Sequence, residues 1–134
     1  MIKFNIIIPS ITIDNRLLRC LNGVEKLEYN NFFVTLVLDN TKGANKLKKF
    51  KFKINTLVMK NINMSEKRNF AAKKFKSDFL AFIESDASPC VNWLSKASKK
   101  IKSKKLKVIG GPNLPFKDQT FWEKIAYYCK RSFF

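Results

Sequence analysis

The strongest constraint on the fold is a regular alternation of short apolar, β-rich runs with segments of helical periodicity. Lys3–Ile8 (KFNIII) predicts a buried strand ended by Pro9. Leu17, Leu18, Leu21, Val24 and Leu27 then recur at helical spacing, which predicts a helix from about Asp14 to Leu27. Phe32–Leu38 (FFVTLVL), aromatic and β-branched, reads as a second strand stopping at Asp39. The lysine-rich piece from Thr41 to Phe52 is a loop or short helix, and Asn55–Met59 is a third, shorter strand. Ser65 is expected to cap the next helix, with Glu66 in its first turn and Phe70, Ala71 and Phe75 facing inward. Phe79–Ile83 is a fourth, buried strand, followed by a helix with Val91, Leu94, Ala97 and Ile101 on one face. Leu106–Ile109 reads as another short strand ended by Gly110-Gly111-Pro112, and Phe121 to Cys129 as a last amphipathic segment. Such an order implies one α/β domain: a mainly parallel sheet, right-handed crossovers and helices on both faces. A length of 134 residues suits a single domain.

Composition removes several function classes. No apolar run approaches the roughly 18–20 residues that span a bilayer, and MIKFNIIIPS lacks the cleavage pattern of a signal peptide. The three cysteines, Cys20, Cys90 and Cys129, are far apart, and the chain has no histidine. Zinc and a disulfide framework are therefore not expected, and reduced thiols in the cytoplasm are. The net charge is +17, and Lys42–Lys60 and Lys96–Lys107 each carry seven lysines and no acid. That surface suits a nucleotide diphosphate or the anionic inner face of a cell membrane; a solvated lysine-rich surface has the same composition. The charge alone also suggests a nucleic-acid-binding module. Against it, the aromatics fall mostly in core-like positions and do not interleave with the lysines as stacking platforms, so no specific nucleic-acid partner is expected.

Polar and turn residues close three of the strands: Pro9-Ser10, Asp39-Asn40 and Glu84-Ser85-Asp86. In a parallel sheet these ends share one edge, where ligands bind. Acids one residue apart at a strand end suit Mg²⁺ or Mn²⁺ held together with substrate phosphates. Asp39 is placed to accept hydrogen bonds from a nucleobase or ribose. Two solvated acids and a loop-capping Asp39 fit the same letters. Arg68-Asn69, in the helix before the acidic strand, could reach a base, ribose or phosphate, or be an ordinary surface pair. The Gly110-Gly111-Pro112-Asn113 run calls for glycine's backbone freedom and either lines a donor-sugar or acceptor region or forms a tight turn.

Taken together, IIIPS…LLRCL, VLDN, KRNFAAKKFKSDFLAFIESDASPCVNWL and VIGGPNLP followed by FW resemble the family 2 glycosyltransferases. The resemblance runs from about Ile6 to Trp122 and is most specific in its central block. It implies the GT-A fold, a Rossmann-like three-layer sandwich, and the N-terminal, nucleotide-sugar-binding half of such an enzyme. By it, Pro9, Ser10, Asp39, Arg68, Asn69, Glu84, Ser85 and Asp86 bind the nucleotide sugar, and Asp39 touches the base. Asp86, with Glu84, takes the metal-binding DxD position, with Mg²⁺ or Mn²⁺ as cofactor. Gly110, Gly111, Pro112 and Asn113 line the acceptor or donor-sugar loop. The last block is similar to bacterial enzymes building surface polysaccharides, with a glycan or lipid-linked acceptor.

Three positions depart from the family's pattern. Glu84 replaces an Asp and is longer by one methylene, about 1.5 Å; a single acid, Asp39, follows Leu38; and Ala71 replaces a glycine. A general base for the acceptor hydroxyl is expected beyond Phe134, since Asp118 and Glu123 are the only acids after Asp86. The chain thus reads as truncated before its acceptor half. Uncovered Tyr127, Tyr128, Phe133 and Phe134 suggest missing sequence, a partner subunit or oligomer, or a membrane surface. A catalytically inactive remnant that binds nucleotide sugar, or assists a full-length enzyme, is the alternative reading.

Overall fold

A computed structural model describes residues 1–111, 120–122 and 125. Its elements run β1 (Phe4–Pro9), α1 (Asn15–Glu25), β2 (Phe32–Leu38), a 3-10 turn (Ala44–Lys49), β3 (Ile54–Val58), α2 (Met64–Lys74), β4 (Phe79–Phe82) and α3 (Trp93–Lys104). The four strands form one sheet in the order β3-β2-β1-β4, and every pairing is parallel. Ile6 sits opposite Val34 on one side and Ala81 on the other, so β1 and β2 are the inner strands.

Successive strand residues point to opposite faces, and the two cores follow that period. Phe4, Ile6 and Ile8 of β1, with Val34, Leu36 and Leu38 of β2, pack against Leu17, Cys20, Leu21 and Val24 of α1 and Leu94 of α3. Ile7 and Val37, one register step away, meet Ala71 of α2 on the opposite face. The expected three-layer α/β arrangement is present. Asp14 caps α1, accepting from the Leu17 amide at 2.9 Å.

Several local expectations need correction. The α2 cap is Asn63, two residues before Ser65. Its side chain accepts from the Glu66 amide at 2.9 Å while Glu66 accepts from the Asn63 amide at 3.2 Å, a reciprocal box that outcompetes a single serine. Ala71 is buried, but Phe70 is 41% exposed because Lys67, not Phe70, shares the inward stripe with Ala71. Phe75 ends α2 and meets Phe33 edge-on. The strand expected over Phe79–Ile83 stops at Phe82 and is not fully buried: Leu80 is 40% and Phe82 48% exposed. It is an edge strand, and α2 lies over β1 and β2 instead. Val91 precedes α3 and is exposed, whereas Leu94, Ala97 and Ile101 face the core. Leu106–Ile109 pairs with no strand among the described residues and lies largely exposed, with Val108 87% and Ile109 37% exposed. Of the segment expected over Phe121 to Cys129, the described residues Phe121, Trp122 and Ile125 are helical; the rest lies outside the described residues, as do Asp118, Phe133 and Phe134.

Candidate functional site

At the carboxyl ends of β1 and β4 the chain forms an open cleft of about 240 Å³, lined by Pro9, Ser10, Ile11, Thr12, Asp14, Arg16, Met64, Glu84, Ser85 and Asp86. Two of the three strand ends singled out in the sequence thus face one space. β1 stops there because Pro9 is followed by a turn in which Ser10 Oγ donates to the Thr12 carbonyl at 3.0 Å. β4 hands over to a turn closed by the Ala87 amide donating to the Glu84 carbonyl at 3.1 Å. Glu84 opens that turn and Asp86 lies within it, and both are exposed.

The third strand end joins through a lysine. Lys67, on the inward stripe of α2, is 1% exposed, and its Nζ donates to the Ser10 carbonyl at 2.9 Å and to Asp39 Oδ1 at 2.5 Å. Asp39 follows β2, does not itself line the cleft, and has a side chain 30% exposed. Its amide donates to the Ile11 carbonyl at 3.0 Å, so backbone and side chain both tie it to the cleft wall. A lysine buried this completely requires a partner charge, and Asp39 supplies it.

Arg68, the next residue of α2, pairs with Glu84 Oε1. Of the two acids at the end of β4, Glu84 is therefore neutralised within the protein, whereas Asp86 forms no ion pair among the described residues. Asn69 is exposed and stays outside the cleft. Gly110 and Gly111 also lie outside it. A Cβ at either would meet nothing within 4 Å, and neither adopts a left-handed φ, so the expected need for glycine there is not met. Pro112 and Asn113 lie outside the described residues.

Two cleft-side residues escaped the sequence reading. Lys67 looked like one lysine among many; its signal was the four-residue spacing to Ala71, which puts both on the buried face of α2. Arg16 sits in the first turn of α1, which opens into the cleft directly after β1. Behind the acidic turn, Ser88 and Pro89 press against Gly23 of α1, where an added Cβ would come within 2.1 Å of Ser88 Oγ. Burial, with the charge of nearby Asp86 added, pushes the Cys20 thiol up to about 12.

The cleft's carboxylates, Asp14, Glu84 and Asp86, outnumber its one guanidinium, Arg16. Among the described residues no three acidic, histidine or cysteine side chains cluster closely enough to hold a metal ion alone. With Glu84 paired to Arg68, Asp86 is the cleft acid at the end of β4 that has no ion pair among the described residues. The arrangement fits a hard divalent cation that takes one or two carboxylates and completes its shell with phosphate oxygens.

The model of the family described as glycosyl transferase family 2 matches residues 5–132. The chain belongs to that family. Among solved structures, the fold matches residues 1–349 of S. aureus TarS, with a TM-score of 0.67 and 22% identity over 85% of this chain and 38% of that one. The complex of the same TarS fragment with UDP-GlcNAc gives a TM-score of 0.66 at 22% identity, over 85% of this chain and 37% of that one. The mannosyltransferase PcManGT from Pyrobaculum calidifontis, in complex with GDP-Man and Mn²⁺, matches with a TM-score of 0.65 and 13% identity over 75% of this chain and 32% of that one. No curated protein sequence matches the chain. The architecture is the GT-A fold, and the chain spans less than two fifths of the length of these glycosyltransferases.

Proposed function

We propose that this family 2 domain binds a nucleotide-diphosphate sugar across the ends of β1, β2 and β4 and serves transfer of the sugar to a glycan or lipid-linked hydroxyl in surface polysaccharide synthesis. The observation that carries the reading is the convergence of Ser10, Asp39 and the Glu84–Asp86 turn on one rim, linked by Lys67. A cleft of about 240 Å³ is smaller than a whole donor needs, since ligand pockets run to roughly 300–1,000 Å³. The base would therefore extend past its mouth toward Asp39, leaving the diphosphate between Arg16 and Asp86.

In this reading Asp39 accepts from the base, and Arg16 offers charged donors to the diphosphate. Arg68 holds Glu84 in place beside the ribose, and Asp86 would hold Mg²⁺ or Mn²⁺. When bound, such an ion supplies charge stabilisation to the departing nucleoside diphosphate. The lysine-rich surface, with a lipid-linked acceptor, favours work at the inner face of a cell membrane.

Calorimetry with uridine and guanosine diphosphates, with and without Mn²⁺, tests the assignment. Mn²⁺-dependent binding that Asp86→Ala abolishes is expected; identical isotherms for Asp86→Ala and the unaltered chain would remove the site. The Arg68–Glu84 pair supports a second reading, donor binding without transfer, because it occupies one of the two acids at the metal position. Sugar transfer or donor hydrolysis by the purified chain would exclude it.

A further inference from the structure

We propose that Lys67 is a positioning residue that makes this site select a uracil-type base over guanine and cytosine. This rests on the donor-binding reading above and concerns how many carboxylate oxygens a base can use. Lys67 Nζ lies 2.5 Å from Asp39 Oδ1. Because Lys67 is 1% exposed, that oxygen is turned toward the protein interior. Asp39 Oδ2 accepts no hydrogen bond from the described residues, although the side chain as a whole is 30% exposed. The Asp39 amide, donating to the Ile11 carbonyl at 3.0 Å, fixes its backbone beside the cleft wall, and the Lys67 bond sets which oxygen faces inward. The carboxylate therefore presents one acceptor to solvent beside the mouth of the cleft.

Base edges respond differently to one acceptor and to two. Guanine offers two donors side by side, N1–H and the N2 amino group, and is matched by a carboxylate that engages both oxygens at once. Uracil offers a single N3–H between two carbonyl oxygens, so a second carboxylate oxygen would face one of those carbonyls. Cytosine has an acceptor at N3, which a carboxylate oxygen repels. A carboxylate with one oxygen tied back by a buried lysine is thus complementary to the imide edge. A mismatched base leaves a polar group unmade, and that is where hydrogen-bonding sites discriminate most strongly.

The test uses the purified chain with Mn²⁺ and three probes: UDP, GDP and CDP. The unaltered chain is expected to bind UDP about tenfold or more tighter than GDP and CDP, the worth of one well-placed hydrogen bond to a charged group. Asp39→Asn gives a readout that a merely structural role would not move. Only the amide oxygen can accept from the Lys67 ammonium, so the amino group must face outward, and preference should pass from UDP to CDP. Lys67→Met releases the second oxygen, and the UDP-to-GDP ratio should fall to near one. Should Lys67→Met fail to fold, the Asp39→Asn comparison carries the test alone. GDP binding as tight as UDP in the unaltered chain, or Asp39→Asn still favouring UDP over CDP, would overturn the base assignment while leaving donor binding intact. Binding of none of the three would overturn the donor-binding reading, and this inference with it.

Discussion

Removing Asp39 should destabilise the protein far more than removing the lysine it pairs with. In Asp39→Ala the Lys67 ammonium, 1% exposed, keeps only the Ser10 carbonyl at 2.9 Å. Breaking a buried pair from one side in this way costs about 3–5 kcal/mol. In Lys67→Met a stem of similar length fills the same space, and the orphaned partner is Asp39, 30% exposed. That carboxylate can turn to water, so the loss is closer to the ~1–2 kcal/mol of a charge-assisted hydrogen bond. The two variants should therefore differ by about 2–3 kcal/mol, and the double variant should recover most of the Asp39→Ala loss, since it leaves no buried charge. Urea unfolding followed by far-UV circular dichroism, extrapolated linearly to water with slopes compared, measures all four proteins. Equal losses in the two single variants would show that Asp39 is as sequestered as Lys67. Additive losses would show that the pair is not coupled. Either result refutes the reasoning.

Three further outcomes follow from packing behind the acidic turn. With its thiol raised from 9.0 to about 12, Cys20 stays protonated in the folded chain where the unfolded chain ionises. The associated stability is complete below pH 9 and is lost as pH climbs toward 12, by on the order of 1 kcal/mol at pH 10 relative to Cys20→Ala; a parallel pair of pH–stability curves would contradict this. In a Cys90→Ser, Cys129→Ser background, a thiol reagent at pH 8 should accordingly label Cys20 only after urea is added. Gly23→Ala gains about 1 kcal/mol of helix propensity but drives a Cβ to 2.1 Å from Ser88 Oγ and 3.0 Å from Pro89 Cδ. The net change should be a loss of about 1 kcal/mol, cancelled in a Ser88→Gly background; the same loss in both backgrounds would point elsewhere.

The parts of the fold legible in the sequence are those fixed by local pattern. Phe32–Leu38 is found with the expected bounds because seven consecutive β-favouring residues meet a stop at Asp39. Leu17, Leu21 and Val24 declared the buried stripe of α1 in the same way. What stayed hidden depended on distant partners. Leu106–Ile109 has strand-like letters, but pairing needs a sheet edge that receives it. Phe79–Phe82 is apolar throughout, and nothing within it tells that α2 leaves one of its faces bare. Ser10, Asp39, Glu84 and Asp86 could be named as strand-end residues, but their linkage could not. It runs through Lys67, whose identity is camouflaged in a chain with 27 basic residues and whose burial follows from a helix phase set by Ala71.

The placement of β1 has a consequence for how the molecule is made. β1, the first of the four strands in chain order, becomes the axle of the sheet, flanked by Phe32–Phe33 and their neighbours on one side and by Phe79–Phe82 on the other. Its isoleucines must wait, half-paired, while the next seventy or so residues leave the ribosome, the kind of delayed long-range closure that slows folding and invites sticking. Deleting β1 would then unpair β2 and β4 from each side at once instead of shaving a border.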